Sequence, residues 1–122
     1  MGKKILIVED EPNIVFSLEF VMKQKGYVVK VVSDGEAALA AVADFAPDLI
    51  LLDVMMPRMS GYDVCQRVRE NAAWQGIRII MLSAKGREIE VNKGLAVGAD
   101  AYVTKPFSTR DLVEKVRAML GE

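Results

Sequence analysis

Short apolar runs alternate with longer amphipathic segments five times along this chain, and that rhythm restricts the fold more than any single residue does. The runs at Lys4–Val8, Val28–Val32, Leu49–Asp53, Ile77–Leu82 and Ala101–Thr104 read as strands. Three of them (Ile5-Leu6-Ile7-Val8, Leu49-Ile50-Leu51-Leu52 and Ile77–Leu82) are almost continuously apolar. A strand with one wet face would alternate polar and apolar side chains, so continuity predicts a parallel sheet covered on both faces.

The intervening segments read as helices. Ile14, Val15, Leu18, Val21 and Met22 fall on one helical face, with Pro12 suited to the first turn and Gly26 to the stop. Ser33-x-x-Glu36 is expected to cap the second helix as a capping box, and Pro47 follows its end. A third helix is expected across Tyr62–Glu70 behind Ser60, and a fourth over Glu88–Val97 ending at Gly98. Ser108-x-x-Asp111 opens a fifth, in which Leu112, Val113, Val116, Met119 and Leu120 repeat the spacing of the first. Strand–helix alternation of this kind predicts an α/β fold, a doubly wound five-stranded parallel sheet with right-handed crossovers and helices on both faces. With 122 residues, the expectation is one domain over 1–122.

Composition excludes several functions. There is no histidine, so neither serine–histidine nor cysteine–histidine catalysis is available, and no histidine metal site. Any phosphohistidine must come from another protein. Sixteen basic and 17 acidic residues leave a net charge of −1, too balanced to suggest direct nucleic-acid binding. The single cysteine, Cys65, cannot form an internal disulfide and reads as a small buried residue, which fits a reducing cytoplasm. The apolar run after Lys3-Lys4 stops at Glu9-Asp10, too short for an export signal, and no stretch approaches the ~20 apolar residues that span a membrane.

In doubly wound sheets, ligands bind beyond the carboxyl ends of the strands. The first strand ends in Glu9-Asp10-Glu11, the third in Asp53, the fourth in Ser83-Ala84 and the fifth in Thr104-Lys105-Pro106. Each alone has an ordinary explanation: a helix cap, a strand end, a loop lysine. Their joint placement at one edge is informative. Carboxylates from two strands repel each other, and a hard cation such as Mg²⁺ compensates them, whereas the donor set suits zinc poorly. Lys105 adds a second positive charge and Ser83 a hydrogen-bond donor. Phosphoryl transfer needs chiefly positioning and charge stabilisation, and Asp53 is the nucleophile that this set implies.

Glu9-Asp10, Asp53-Val54-Met55-Met56-Pro57, Ser60-Gly61, Ser83-Ala84, Gly98-Ala99-Asp100 and Lys105-Pro106-Phe107, in that order, resemble the receiver domain of bacterial two-component response regulators, over essentially the whole chain. The resemblance implies the flavodoxin-like strand order 2-1-3-4-5. It implies that Asp53 accepts a phosphoryl group from a sensor histidine kinase or phosphotransfer protein. Asp10, Asp53 and the backbone carbonyl of Met55 would hold Mg²⁺ directly, and Glu9 through water. Lys105 would pair with Asp53 and then with the phosphoryl group, Ser83 would move toward a phosphoryl oxygen, and Tyr102 would swing inward as the readout. Met55 and Lys85 would border the acceptor and tune hydrolysis of the acyl phosphate. A cis Lys105–Pro106 peptide is implied as well. The output would be a protein–protein contact through the fourth helix, fifth strand and fifth helix, with no membrane involvement and no conventional enzyme activity beyond self-assisted phosphorylation and slow dephosphorylation.

Glu9 stands where an aspartate is common, and Ser83 where threonine is. Both keep the chemistry. DNA-binding members often carry a second acid at the position of Ala101, and its absence counts against a phosphorylation-linked dimer through that face, which stays open. Two alternatives remain: a receiver-like fold that binds without phosphorylation, and a Mg²⁺-dependent phosphatase for small molecules. Many of the latter need a second aspartate two residues after the nucleophile, and Met55 stands there.

Overall fold

Strand parity sorts the apolar side chains into two layers. The computed structural model describes residues 2–56, 58–84, 92–93 and 95–122. Strands β1 (Lys4–Val8), β2 (Val28–Val32), β3 (Leu49–Asp53), β4 (Arg78–Ala84) and β5 (Ala101–Lys105) form one parallel sheet in the order β2-β1-β3-β4-β5. Helices α1 (Pro12–Gln24), α2 (Gly35–Phe45), α3 (Gly61–Glu70) and α4 (Thr109–Met119) cover its faces. Ile5, Ile7, Leu49, Leu51, Ile80 and Leu82 pack with Leu18 and Met22 of α1 and Leu112, Val113 and Val116 of α4. Leu6, Val8, Ile50, Leu52, Ile79 and Met81 pack on the other side with Ala38, Ala41 and Val42 of α2 and Val64, Cys65 and Val68 of α3. Each fully buried Leu or Ile contributes about 1.5–3 kcal/mol, so both faces of β1 and β3 are strong sources of stability.

The first helix matches its expected face, with Leu18 and Met22 buried, Pro12 in the first turn and Gly26 beyond the end at φ 92°. Its cap is Glu11, whose Oε2 accepts from the amide of Ile14 at 3.2 Å. The expected capping box at Ser33-x-x-Glu36 is corrected. Asp34 is the N-cap, its Oδ1 accepting from Ala37 N at 2.8 Å, so the helix starts one residue later. An ionised carboxylate at a helix N-terminus gains both the amide bond and the end charge, where a serine gains the bond alone. Ser60 and Asp63 do form a reciprocal capping box on α3, which begins at Gly61, one residue before the expected start. Ser108 caps α4 as expected, accepting from Asp111 N at 3.3 Å.

Strands β4 and β5 run past their expected ends at Leu82 and Thr104. Their ladder continues through the pairs Ser83↔Thr104 and Ala84↔Lys105. Hydrophobic patterning loses the strand where polar residues begin, but backbone hydrogen bonding does not depend on polarity. Of the helix expected over Glu88–Val97, Asn92, Lys93, Leu95 and Ala96 are helical, and the rest, with Lys85, lies outside the described residues apart from Val97, which is in a turn. Among the described residues, no helix is long and apolar enough to cross a membrane.

Arg69, at the end of α3, ties the entry to β5. Its Nε donates to Gly98 O at 2.8 Å, and a terminal nitrogen pairs with Asp100 Oδ2 at the same distance. Asp100 Oδ2 also accepts from Ile79 N at 2.8 Å, so one carboxylate joins α3, β4 and β5. Beside this clasp, Cys65 is fully buried and its thiol is pushed up to about 11, burial being the largest cause. The charge on Arg69 lowers it and that on Asp100 raises it further. Alkylation of the native protein at pH 8 is therefore expected to run ~100-fold slower than in denaturant, in proportion to the thiolate fraction. Equal rates in the two conditions would show an exposed, ordinary thiol.

Candidate functional site

The carboxyl edge of the sheet gathers what the strand ends supply. Asp53 closes β3 and is 4% exposed; Glu9, just past β1, is 1% exposed. Lys105, at the end of β5, reaches back across β4 and places its Nζ 3.0 Å from Asp53 Oδ1 and 2.8 Å from Glu9 Oε1. The contact with Asp53 is an aligned hydrogen bond. That with Glu9 is an ion pair lacking such alignment. Glu9 turns its other oxygen onto its own loop, where Oε2 accepts from the amides of Asp10 at 3.1 Å and Glu11 at 3.2 Å. The amide of Met55 donates to Asp53 Oδ1 at 3.3 Å, while the Met55 side chain is 65% exposed beside the site.

Burial and opposite charges act against one another at this edge. The Glu9 carboxyl is held above its ordinary value, chiefly by burial; Lys105 opposes this and the charge on Asp53 adds to it. Burial works against the Lys105 ammonium, but its contacts with Glu9 and Asp53 outweigh that and hold its pKa above the usual value. Three carboxylates against one ammonium leave the cluster two charges negative.

Oxygens of Glu9, Asp10 and Asp53 lie within 4.8 Å of one another, a spacing that one hard cation can bridge. Asp10 is exposed and Asp53 buried, so the group opens to solvent at Asp10. Ser83 is 2% exposed and its Oγ has no hydrogen-bond partner. A buried hydroxyl left unpaired is costly, and it stands ready for an oxygen acceptor at this edge. The donor set therefore fits Mg²⁺ together with a phosphoryl group.

Gly61 brings α3 against the site. Its amide donates to Val54 O at 3.0 Å, and a Cβ there would stand 2.3 Å from the carbonyl oxygen of Asp53. The Lys105–Pro106 peptide is cis, as the resemblance implied. The structure thus brings Glu9, Asp10, Asp53 and Lys105 together and places Ser83 on the adjoining strand. Tyr102 lies apart from them, 40% exposed on β5. Sequence reasoning paired Lys105 with Asp53 alone and missed its ion pair with Glu9, because nothing local marks a contact between the two outermost strand ends involved.

Known proteins resemble this chain in sequence and in fold. The family profile described as the response regulator receiver domain matches residues 5–117. The DNA-binding response regulator MtrA of Mycolicibacterium smegmatis is 44% identical over 120 residues, covering 98% of this chain and 51% of that protein. The alkaline phosphatase synthesis transcriptional regulatory protein PhoP of Bacillus subtilis is 45% identical over 120 residues, covering 98% and 49%. The chain thus spans about half the length of these relatives. Among solved structures, the receiver domain of sensor histidine kinase PA1611 from Pseudomonas aeruginosa, with a magnesium ion coordinated in its active-site cleft, superposes with a TM-score of 0.91 at 29% identity over 100% of both chains. With that profile spanning nearly the whole chain and the sheet in this strand order, the chain belongs to the response-regulator receiver domains.

Proposed function

We propose that the chain is a phosphorylation-driven switch in which Asp53 accepts a phosphoryl group from the phosphohistidine of a sensor histidine kinase or phosphotransfer protein. The observation that carries this is the Lys105 ammonium, held between Asp53 and Glu9 at 3.0 and 2.8 Å, beside a cluster of acids two charges short of neutral. Glu9, Asp10, Asp53 and the backbone carbonyl of Met55 are the residues that would hold Mg²⁺, which when bound neutralises phosphoryl oxygens. The free carboxylate oxygen of Asp53 attacks phosphorus in line, the P–N bond of the donor breaks, and the imidazole leaves with its electron pair. Lys105 then exchanges its bond to Asp53 for one to the phosphoryl group, and Ser83 Oγ supplies a second. Charge-assisted hydrogen bonds contribute roughly 1.5–3 kcal/mol each. A few of them approach the ~5.5 kcal/mol that carries a two-state equilibrium from mostly inactive to mostly active.

A groove of about 480 Å³ lined by Asn13, Ile14, Ser17, Lys105, Pro106 and Phe107 opens beside the acceptor. Phe16 and Phe20 of α1 are 73% and 61% exposed. Because the groove shares Lys105 with the site, a donor protein seated there would bring its phosphohistidine to Asp53. The readout we assign to β5, α4 and the segment before Gly98, with Tyr102 as its moving part, acting on a downstream protein in the cytoplasm. A phosphorylation-linked dimer is a second form of the same readout. Direct nucleic-acid binding we assign to no surface of residues 1–122, although a longer protein of the MtrA kind would carry it elsewhere.

The test is mass measurement after incubation with Mg²⁺ and acetyl phosphate or phosphoramidate. One added phosphoryl group, stable in acid and labile in base, is expected, with no uptake when EDTA removes the metal. Failure to take up a phosphoryl group from either donor or from a set of histidine kinases would favour a binding module that works without phosphorylation.

A further inference from the structure

Tyr102 is anomalous on β5. Its neighbours Ala101 and Val103 pack into the layer beneath α1 and α4, but Tyr102 joins neither apolar layer. Strand parity turns it to the other face, and its cross-strand partner Met81 is 2% exposed within that face's core. A ring of this size next to a buried methionine would ordinarily be covered, yet it stands 40% exposed. A cation on α4 lies against it. Lys115 Nζ lies 5.8 Å from the centre of the Tyr102 ring and donates to the backbone oxygen of Tyr102 at 3.3 Å. One ammonium therefore grips both the ring and the backbone of the same residue.

We propose that Lys115 is a positioning residue for Tyr102: its ammonium latches the ring at the outer edge of the sheet and sets how much of the resting protein already holds the ring inward. This rests on reading Tyr102 as the moving part of the switch. The charge matters in itself, since attraction to the ring face needs a cation. Arginine preserves the latch, and a neutral side chain of similar length releases it. A cation–π contact at a solvent-exposed site is worth a population change of roughly two- to five-fold. Lys115 is exposed, so its replacement is expected to leave the fold intact.

The experiment is ¹⁹F NMR on protein carrying 3-fluorotyrosine, with Tyr102→Phe identifying the resonance and a gadolinium chelate reporting ring exposure. In Lys115→Met without any phosphoryl donor, the Tyr102 signal is expected to become less exposed and to move part of the way toward its position in the wild type with Mg²⁺ and beryllofluoride. Lys115→Arg is expected to match the wild type. Acetyl phosphate should also phosphorylate Lys115→Met two- to five-fold faster. Unchanged exposure and position of the signal in Lys115→Met would overturn the latch, as would an equal change in Lys115→Arg. If beryllofluoride moves nothing in the wild type, the reading of Tyr102 as the moving part fails, while the resting exposure in Lys115→Met still decides the latch.

Discussion

Asp53→Asn is expected to take up no phosphoryl group under conditions in which the wild type gains one. Amide oxygen is a poor nucleophile, and Asp10 is exposed on the loop after β1, whereas Asp53 is buried against Lys105. The same substitution has a second signature that does not depend on a donor. It removes a negative charge from a cluster of three acids and one ammonium, while Lys105 keeps Glu9 at 2.8 Å. Lost attraction to Lys105 and relieved repulsion from Glu9 and Asp10 then offset each other, so the metal-free variant is expected to melt no lower than the wild type. The rise in melting temperature on adding Mg²⁺ should shrink, because one of the carboxylates proposed to hold it is gone. Calorimetry with and without Mg²⁺ measures both. A phosphorylated Asp53→Asn protein would move the acceptor elsewhere, and an undiminished Mg²⁺ effect would remove Asp53 from the metal site.

Gly61→Ala is expected to lower stability by about 1–3 kcal/mol and to slow phosphoryl uptake together with it. Alanine normally favours a helix by roughly 1 kcal/mol over glycine, so propensity alone predicts the opposite sign. Space decides. The added carbon would meet the Asp53 carbonyl oxygen at 2.3 Å, and also Asp53 C and Val54 Cα at 3.0 Å. These are backbone atoms of the acceptor and its neighbour, with no flexible side chain to move aside. Relief must come from shifting α3 or the end of β3, and either displaces Asp53 from Lys105. Denaturant melts give the first effect and acetyl phosphate kinetics the second. A variant as stable as the wild type and phosphorylated as fast would show that the contact relaxes freely.

Much of this was legible along the chain because it depends on local order. Continuous apolar runs at β1 and β3 announce strands buried on both faces, and both have the expected bounds. Amphipathic spacing announced the buried faces of α1 and α4. Errors fell where two local signals compete. Ser33 and Asp34 both offer a cap to the same helix, and the helix-end charge favours the carboxylate of Asp34. The end of β4 was misplaced because Ser83 breaks the apolar pattern without breaking the ladder.

By itself, then, the order of residues determined the alternation of strand and helix, the sheet buried on two faces, and which acids, hydroxyl and lysine end at one edge. These follow from periodicity and from the rule that parallel strands present the same ends together. Only the tertiary structure decided that Lys105 bridges Glu9 as well as Asp53, that Ser83 Oγ is left unpaired, that Arg69 clasps Gly98 and Asp100, and that Lys115 grips Tyr102. Each of these joins residues far apart in the chain through atoms at the ends of long side chains. Sequence spacing carries the direction in which a side chain leaves the backbone, but not the point in space where two such chains meet.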